Sequence, residues 1–419
     1  MRTRKIISYC FLITVILFNL TGCSNSHVKA EIQMITTPIS MITVPDTVKI
    51  IGLGEATHGN VEFQQLKKDV FKAVLENNGC HVFAIEGDFG GAYRVNEYIS
   101  GGEGTAKNAV EQLGFAIYRT KEMEQLVQWM HDYNEHVSKD EKIKFYGFDM
   151  QRYDNCKEII FKFLKENESP QLQNYEDGLA LLNDDTVYDQ KKSNIKQAKK
   201  CAEALHQELL QNEAEYRNGT SQRKYELALE CIKAIIENTT LQMSGSDYST
   251  LRDQYMKDRI EWIYNFEGKQ KLFITAHDGH IDKSSAVKGY TSMGKLLTED
   301  FGDSYYAIGT DFLKGEVNAV TMSGKRKNFS IHNRNLITAL FENANENEYY
   351  LDFSKAESIP EVDKLLNTKQ RMTNIGAQFD IYQKYVKFFY TLNMVPKNAY
   401  DSIIIVKTVT PTEVQPLSE

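Results

Sequence analysis

Residues 48–59 read VKIIGLGEATHG. The first six are mostly apolar and β-branched, the texture of a short strand covered on both faces. A polar cluster follows at once, with Glu55 and His58 set between Gly54 and Gly59. A buried strand running straight into titratable residues is typical of an open α/β sheet, where ligands collect beyond the carboxyl ends of parallel strands. Three further stretches repeat the arrangement. Residues 81–85 (HVFAI) lead into Glu86, Gly87 and Asp88; residues 143–148 (IKFYGF) lead into Asp149; residues 271–275 (KLFIT) lead into His277, Asp278, Gly279 and His280.

Helical patterns at 61–77, 93–100, 121–136 and 155–165 separate these strands, and more strands are expected at 305–312, 317–322, 349–353 and 402–407. Strands alternating with helices predict an α/β fold with a mainly parallel sheet flanked by helices. The texture changes over 169–266, which is rich in Lys, Glu, Gln and Ala. Leu205 and Leu209, then Leu229, Ile232 and Ile236, fall at helical spacing, and Asn218-Gly219 is a turn signal between them. The expectation is a helical hairpin inserted into an α/β body made of 36–168 and 267–419, suited to capping a cleft or forming a dimer contact.

The chain's start has a separate character. Arg2, Arg4 and Lys5 precede an apolar run over 6–20, and Leu20-Thr21-Gly22-Cys23 closes it. The run is too short to span a bilayer and reads as the core of a signal peptide. The small residues before the cysteine resemble a bacterial lipobox, with Cys23 as the lipidation site. This predicts a leader over 1–22, a tether over 23–35, and an exported, extracytoplasmic protein held at the cell membrane by lipid. Of the other cysteines, Cys80, Cys156, Cys201 and Cys231 show no metal-ligand spacing; Cys201 and Cys231 are candidates for a staple, with free thiols as the alternative.

Composition narrows the partners. Apolar residues make up 42% and charged residues 25%, ordinary for a globular protein. A formal charge of -8 without a basic block argues against nucleic acid, which asks for a cationic face.

Four segments far apart in sequence thus deliver Glu55, His58, Glu86, Asp88, Asp149, His277 and His280 to one end of one sheet. That set suits water activation: an imidazole takes a proton, a carboxylate fixes its tautomer, and a further histidine or acid serves the leaving group. Serine chemistry is set aside, since no G-x-S-x-G elbow is present. Taken singly, Glu55 and Asp149 could equally cap helices.

GLGEATHG with Glu62 and Phe63, AIEGDFGGA (84–92), YGFDMQ (146–151), Arg252-Asp253 with Met256, TAHDGHI (275–281), Met293-Gly294 and YYAIGTDF (305–312) occur in this order along the chain. Together they resemble the signature segments of the erythromycin esterase family, with Asp278 where that family usually has Asn. The resemblance implies an α/β hydrolase with a deep cleft that opens an ester or a lactone without a cofactor, a macrolide ring and hence antibiotic resistance among the options. It casts His58 as general base, Glu55 and Glu86 as orienting acids, and His277 and His280 as oxyanion or leaving-group partners. Asp88, Asp149 and Arg252 are candidates for substrate binding or support. Two alternatives stay open: a metal-dependent hydrolase using His58, Glu86, His277 and His280 as ligands, and a non-catalytic envelope binding lipoprotein.

Overall fold

The computed structural model describes residues 31–32 and 34–418. The expected leader, Cys23 and most of the tether lie outside them.

A nine-stranded sheet forms the centre. Its strands are β1 (Thr36–Thr37), β2 (Ile50–Glu55), β3 (Val82–Asp88), β4 (Lys144–Asp149), β5 (Leu272–His277), β6 (Tyr305–Val320), β7 (Arg326–His332), β8 (Glu348–Asp352) and β11 (Ser402–Val409). β9 (Gln370–Thr373) and β10 (Thr391–Met394) pair separately. The order is β1-β8-β11-β6-β2-β5-β3-β4, with β7 folded back on β6. From β11 to β4 every neighbouring pair is parallel, while β8, β1 and β7 join antiparallel. The fold is therefore α/β with a mostly parallel sheet flanked by helices.

Alternate residues on each inner strand enter opposite cores, as a strand's two-residue period requires. Ile50, Ala84, Tyr146 and Ile274 pack on one face. Ile51, Phe83, Phe145 and Phe273 pack on the other, where the Phe83 ring stacks on Phe145 and Phe273 at 5.1 and 5.5 Å. Each fully buried side chain of this size contributes about 1.5–3 kcal/mol. Burial on both faces explains why these strands read as continuous apolar runs.

Two predicted boundaries move. The stretches 305–312 and 317–322 form the single strand β6, whose polar interruption at Lys314 and Glu316 sits where the strand leaves the core and pairs with β7. The helix expected at 93–100 is Phe89–Ile99, started by an Asp88 side chain that accepts from Gly91 N.

Within 169–266, the helices Lys192–Gln211 and Gln222–Leu241 pack as a hairpin. Asn218-Gly219 ends a short helix, Glu213–Gly219, and the chain turns at the extended Thr220. Ser221 then caps the next helix through Lys224 N. A further helix, Tyr248–Phe266, packs against β4. It is tied to Gln222–Leu241 by the fully buried Arg259, which pairs with Glu230 and Glu237 and stacks its guanidinium 4.7 Å from the Phe89 ring. The candidate staple does not form. All four described cysteines are free, and the thiol beside Cys231 is that of Cys156.

Candidate active site

The carboxyl ends of β2, β5, β3 and β4 lie side by side, and the register sets Glu55 against His277. Gly54 allows the next segment to close over this end, because a Cβ there would lie 1.8 Å from Asp278 Oδ1. Gly59 does the same for β6, where a Cβ would lie 1.9 Å from the Asn318 carbonyl oxygen.

Glu55 Oε1 lies 2.6 Å from His58 Nδ1. The other oxygen of Glu55 pairs with the ammonium of Lys67, on the helix Val61–Asn78. Lys67 also donates to Gln64 Oε1 at 3.1 Å, and Gln64 Nε2 donates to the His58 carbonyl at 3.1 Å. Glu55 and Lys67 are each 1% exposed. Burial alone would raise the Glu55 pKa, but the Lys67 ammonium and His58 outweigh it and lower it to about 2. A fixed carboxylate at Nδ1 holds the imidazole proton on that nitrogen and leaves the lone pair on Nε2.

The His277 ring centre is 5.1 Å from that of His58, tilted by 50°. Its Nε2–H donates to the Ile375 carbonyl at 3.2 Å, and its Nδ1 accepts from Gly279 N at 3.4 Å. Burial and the adjacent His58 push His277 down to about 3, so it stays a neutral imidazole.

β3 carries a bulge between Ile85 and Asp88, the position of Glu86. Bulges often re-aim side chains beside active sites. Here Glu86 Oε2 accepts from His277 N at 2.9 Å, while Oε1 meets Arg252 Nη2 at 2.7 Å and His280 Nε2 at 3.3 Å. Arg252 also reaches Asp149 at the end of β4, with Nη2 to Oδ2 at 2.6 Å. On the far side of His280, Nδ1 lies 2.8 Å from Asp253 Oδ1, and Asp253 Oδ2 accepts from the Tyr290 hydroxyl at 2.6 Å and Met293 N at 2.7 Å. Burial opposes a charge on His280, yet Asp253 and Glu86 prevail and raise it to about 10. Burial likewise opposes ionisation of Glu86, and His280 with Arg252 hold it well below the usual carboxylate range. The site therefore joins a dyad of Glu55 and His58, next to a neutral imidazole, with a cluster that keeps two cations beside it.

Two further acids at the strand ends make local contacts. Asp88 caps the helix Phe89–Ile99; burial and the neighbouring Asp184 push it up to about 8. Asp278 turns toward β6, where Oδ1 accepts from Thr310 N at 3.1 Å and Oδ2 lies 3.3 Å from the Thr310 hydroxyl. Burial pushes Asp278 well above the usual carboxylate range.

Sequence reasoning missed Lys67, Asp253 and Tyr290. Lys67 had a signal: it occupies the buried stripe otherwise made by Phe63, Leu66, Val70 and Val74. Asp253 was visible only as part of a motif, and Tyr290 lies in a loop without any signal.

As ligands, His58, Glu86, His277 and His280 do not converge on one point. Apart from Nε2 of His58, their donor atoms are bonded to the partners above, and among the described residues the three-ligand group within 4.8 Å is His131, Asp132 and Glu135, elsewhere on the surface.

A family model described as Erythromycin esterase matches residues 75–409. That range takes in Glu86, Asp149, Arg252, His277 and His280 but starts after Glu55 and His58. Erythromycin esterase type II of Escherichia coli is 26% identical over 306 residues, covering 65% of this chain and 71% of its own. The Bacillus subtilis protein YbfO, a hydrolase by its name, is 24% identical over 291 residues, covering 62% of this chain and 64% of its own. Among solved structures, a Bacillus cereus protein superposes with a TM-score of 0.79 at 21% identity, over 94% of this chain and 99% of that one. A succinoglycan biosynthesis protein gives 0.77 at 22% identity, over 93% and 99%. A mutant of the erythromycin esterase EreC in its open conformation gives 0.65 at 14% identity, over 89% and 93%. At these identities the structural likenesses establish the fold alone.

Proposed function

The chain belongs to the erythromycin esterase family, and on that premise we propose that this hydrolase cleaves a carboxylic ester or lactone with water activated by His58. The observation that carries the reading is the Glu55–His58 dyad, with Glu55 locked from behind by Lys67 and His58 facing His277 at 5.1 Å. Nε2 of His58 takes a proton from water as the oxygen attacks the carbonyl carbon. Charge builds on the carbonyl oxygen, and Arg252 with protonated His280 supplies compensating positive charge. When the C–O bond breaks, the proton on His58 passes to the leaving alkoxide, giving an acid and an alcohol, or one hydroxy acid from a lactone. His280, raised to about 10, holds its proton through neutral pH and so suits charge stabilisation better than proton donation. Neutral His277 packs against the base without competing for its proton.

The substrate class extends to small-molecule esters and lactones, with a macrolide ring as one candidate. In this proposal the chain acts outside the cytoplasm, anchored through Cys23, and needs no cofactor. The test is turnover of an ester and lactone panel by the full chain, read by mass spectrometry as the gain of one water. Hydrolysis of at least one ester or lactone supports the reading; tight binding with no turnover across the panel would leave a binding lipoprotein instead.

A further inference from the structure

Over most of the described surface, large apolar side chains left in water stand singly, as at Met41, Tyr188 and Leu210. Between residues 381 and 389 they are gathered. Ile381, Tyr382, Tyr385, Val386, Phe388 and Phe389 are all exposed, Phe388 by 80%. Three of them are in ring contact: the Tyr382 and Phe389 rings lie 6.0 Å apart, and those of Phe388 and Phe389 lie 5.8 Å apart. The Tyr382 hydroxyl sits 3.9 Å from the sulfur of Met322, itself exposed at the turn between β6 and β7. A contiguous apolar patch of this kind marks an interaction surface.

The loop is built onto the active-site side of the sheet. Asn374 N donates to the Tyr390 carbonyl at 2.9 Å and closes its base. Next to that closure, Ile375 N donates to the Ala56 carbonyl at 2.9 Å, and the Ile375 carbonyl is the one that holds His277. β6 runs parallel to β2 and continues beyond it, with Asn318 N donating to the Gly59 carbonyl at 3.0 Å. Its far end then holds the loop, through Val320 N to the Ala377 carbonyl and Phe379 N to the Val320 carbonyl.

The charge of this face opposes that of the whole. The chain carries -8, yet residues 381–390 read IYQKYVKFFY, with Lys384, Lys387 and no acid; the acid that borders them, Asp380, accepts from Met322 N at 3.1 Å. The neighbouring turn adds Lys325, Arg326 and Lys327, again without an acid between 321 and 332. Aromatic rings interleaved with lysines suit the headgroup region of a bilayer, where rings lie among the glycerol groups and ammonium ions meet phosphate. Pairing with a second copy of the same patch would set the two basic rims against each other. Among the described residues no helix is long and apolar enough to cross a membrane, so contact with lipid there has to be made by a surface.

We propose that residues 381–389, with Met322, dock on an anionic phospholipid surface. The contact is separate from any anchor at Cys23, and it is tested without turnover, so it stands or falls independently of the hydrolase reading. Phe388→Trp in the full chain places an indole at the tip of an already exposed side chain. Its emission, taken as the difference from the parent protein with Trp129 and Trp262, is followed on titration with vesicles whose acyl chains are brominated. With mixed phosphatidylglycerol and phosphatidylcholine vesicles the added emission should shift to the blue and be quenched, while Leu210→Trp on the helix Lys192–Gln211 should not respond. Lys384→Gln and Lys387→Gln should each weaken the response about fivefold, the effect of one lysine near an anionic surface. No quenching at Phe388→Trp in anionic vesicles, or equal quenching at Leu210→Trp, would overturn the proposal. A blue shift that follows protein concentration without vesicles would overturn it in favour of self-association. Vesicle binding that is intact in the double variant Phe388→Ser, Phe389→Ser would also overturn it.

Discussion

Replacing Lys67 with Met removes the one cation that holds the back of the Glu55 carboxylate. The change keeps the length of the side chain inside a site that is 1% exposed, so packing is nearly preserved. What is lost is electrostatic. Glu55 is lowered from its ordinary 4.5 to about 2 despite burial, with Lys67 the larger and His58 the lesser cause. A displacement of that size corresponds to about 3 kcal/mol of preference for the ionised form, in keeping with the ~3–5 kcal/mol for breaking a buried pair. A carboxylate with a depressed pKa contributes stability that is fully present above about 4.5 and is lost as pH falls toward about 2. Lys67→Met should therefore be less stable than the parent by up to about 3 kcal/mol at pH 7, and the gap should narrow below pH 4.5. Urea melts at pH 7 and at several lower values read this directly. In activity, a protonated Glu55 no longer fixes the His58 tautomer, so kcat should fall about 10²-fold with KM little changed. The acid limb of the rate profile should move to higher pH. The double variant Lys67→Met, Glu55→Gln removes both charges and should recover most of the stability without recovering activity. A Lys67→Met protein with parental stability and parental pH profile would refute the reasoning, as would a double variant no more stable than the single one.

Other expectations follow from the same geometry. His280 is raised from 6.5 to about 10, so its contribution to stability is fully present below pH 6.5 and is lost as pH rises through about 10; His280→Gln should flatten that alkaline decline in thermal melts between those limits. Prolonged treatment with a strong chelator should leave ester turnover intact, since no three of His58, Glu86, His277 and His280 bring their ligand atoms within 4.8 Å of one another; loss restored by a single divalent metal would favour the metal-dependent reading instead. Cys23→Ser should shift the protein from the membrane fraction to the soluble fraction or leave it as precursor, because LTGC ends a short basic-then-apolar leader. Normal processing and membrane retention in that variant would rule out lipidation there.

The central sheet was legible because its inner strands are buried on both faces and so read as apolar runs ending in acids and histidines. VKIIGL, HVFAI, IKFYGF and KLFIT each became a strand within about three residues of the expected place, the usual uncertainty of such boundaries. Less legible were the elements whose pairing is settled in three dimensions. Nothing local in residues 326–332 marks them as a strand; they form one because β6 runs on past the core and needs a partner. At the site, sequence could gather the residues that follow strands but could not assign their directions. Asp88 and Glu86 both lie in the last three residues of β3, yet the bulge leaves Glu86 at the site and Asp88 capping a helix. Lys67 escaped notice because a lysine in a helix is ordinarily a solvated face, and only the depth of its stripe betrays it.

The most direct test of the account is the steady-state kinetics of His58→Ala on whichever ester the parent hydrolyses. The variant should fold, and its kcat should drop by about 10²–10⁴, with KM nearly unchanged because the loss falls on the transition state. Parental turnover in a correctly folded His58→Ala protein would contradict it and move the search for the base elsewhere in the cleft.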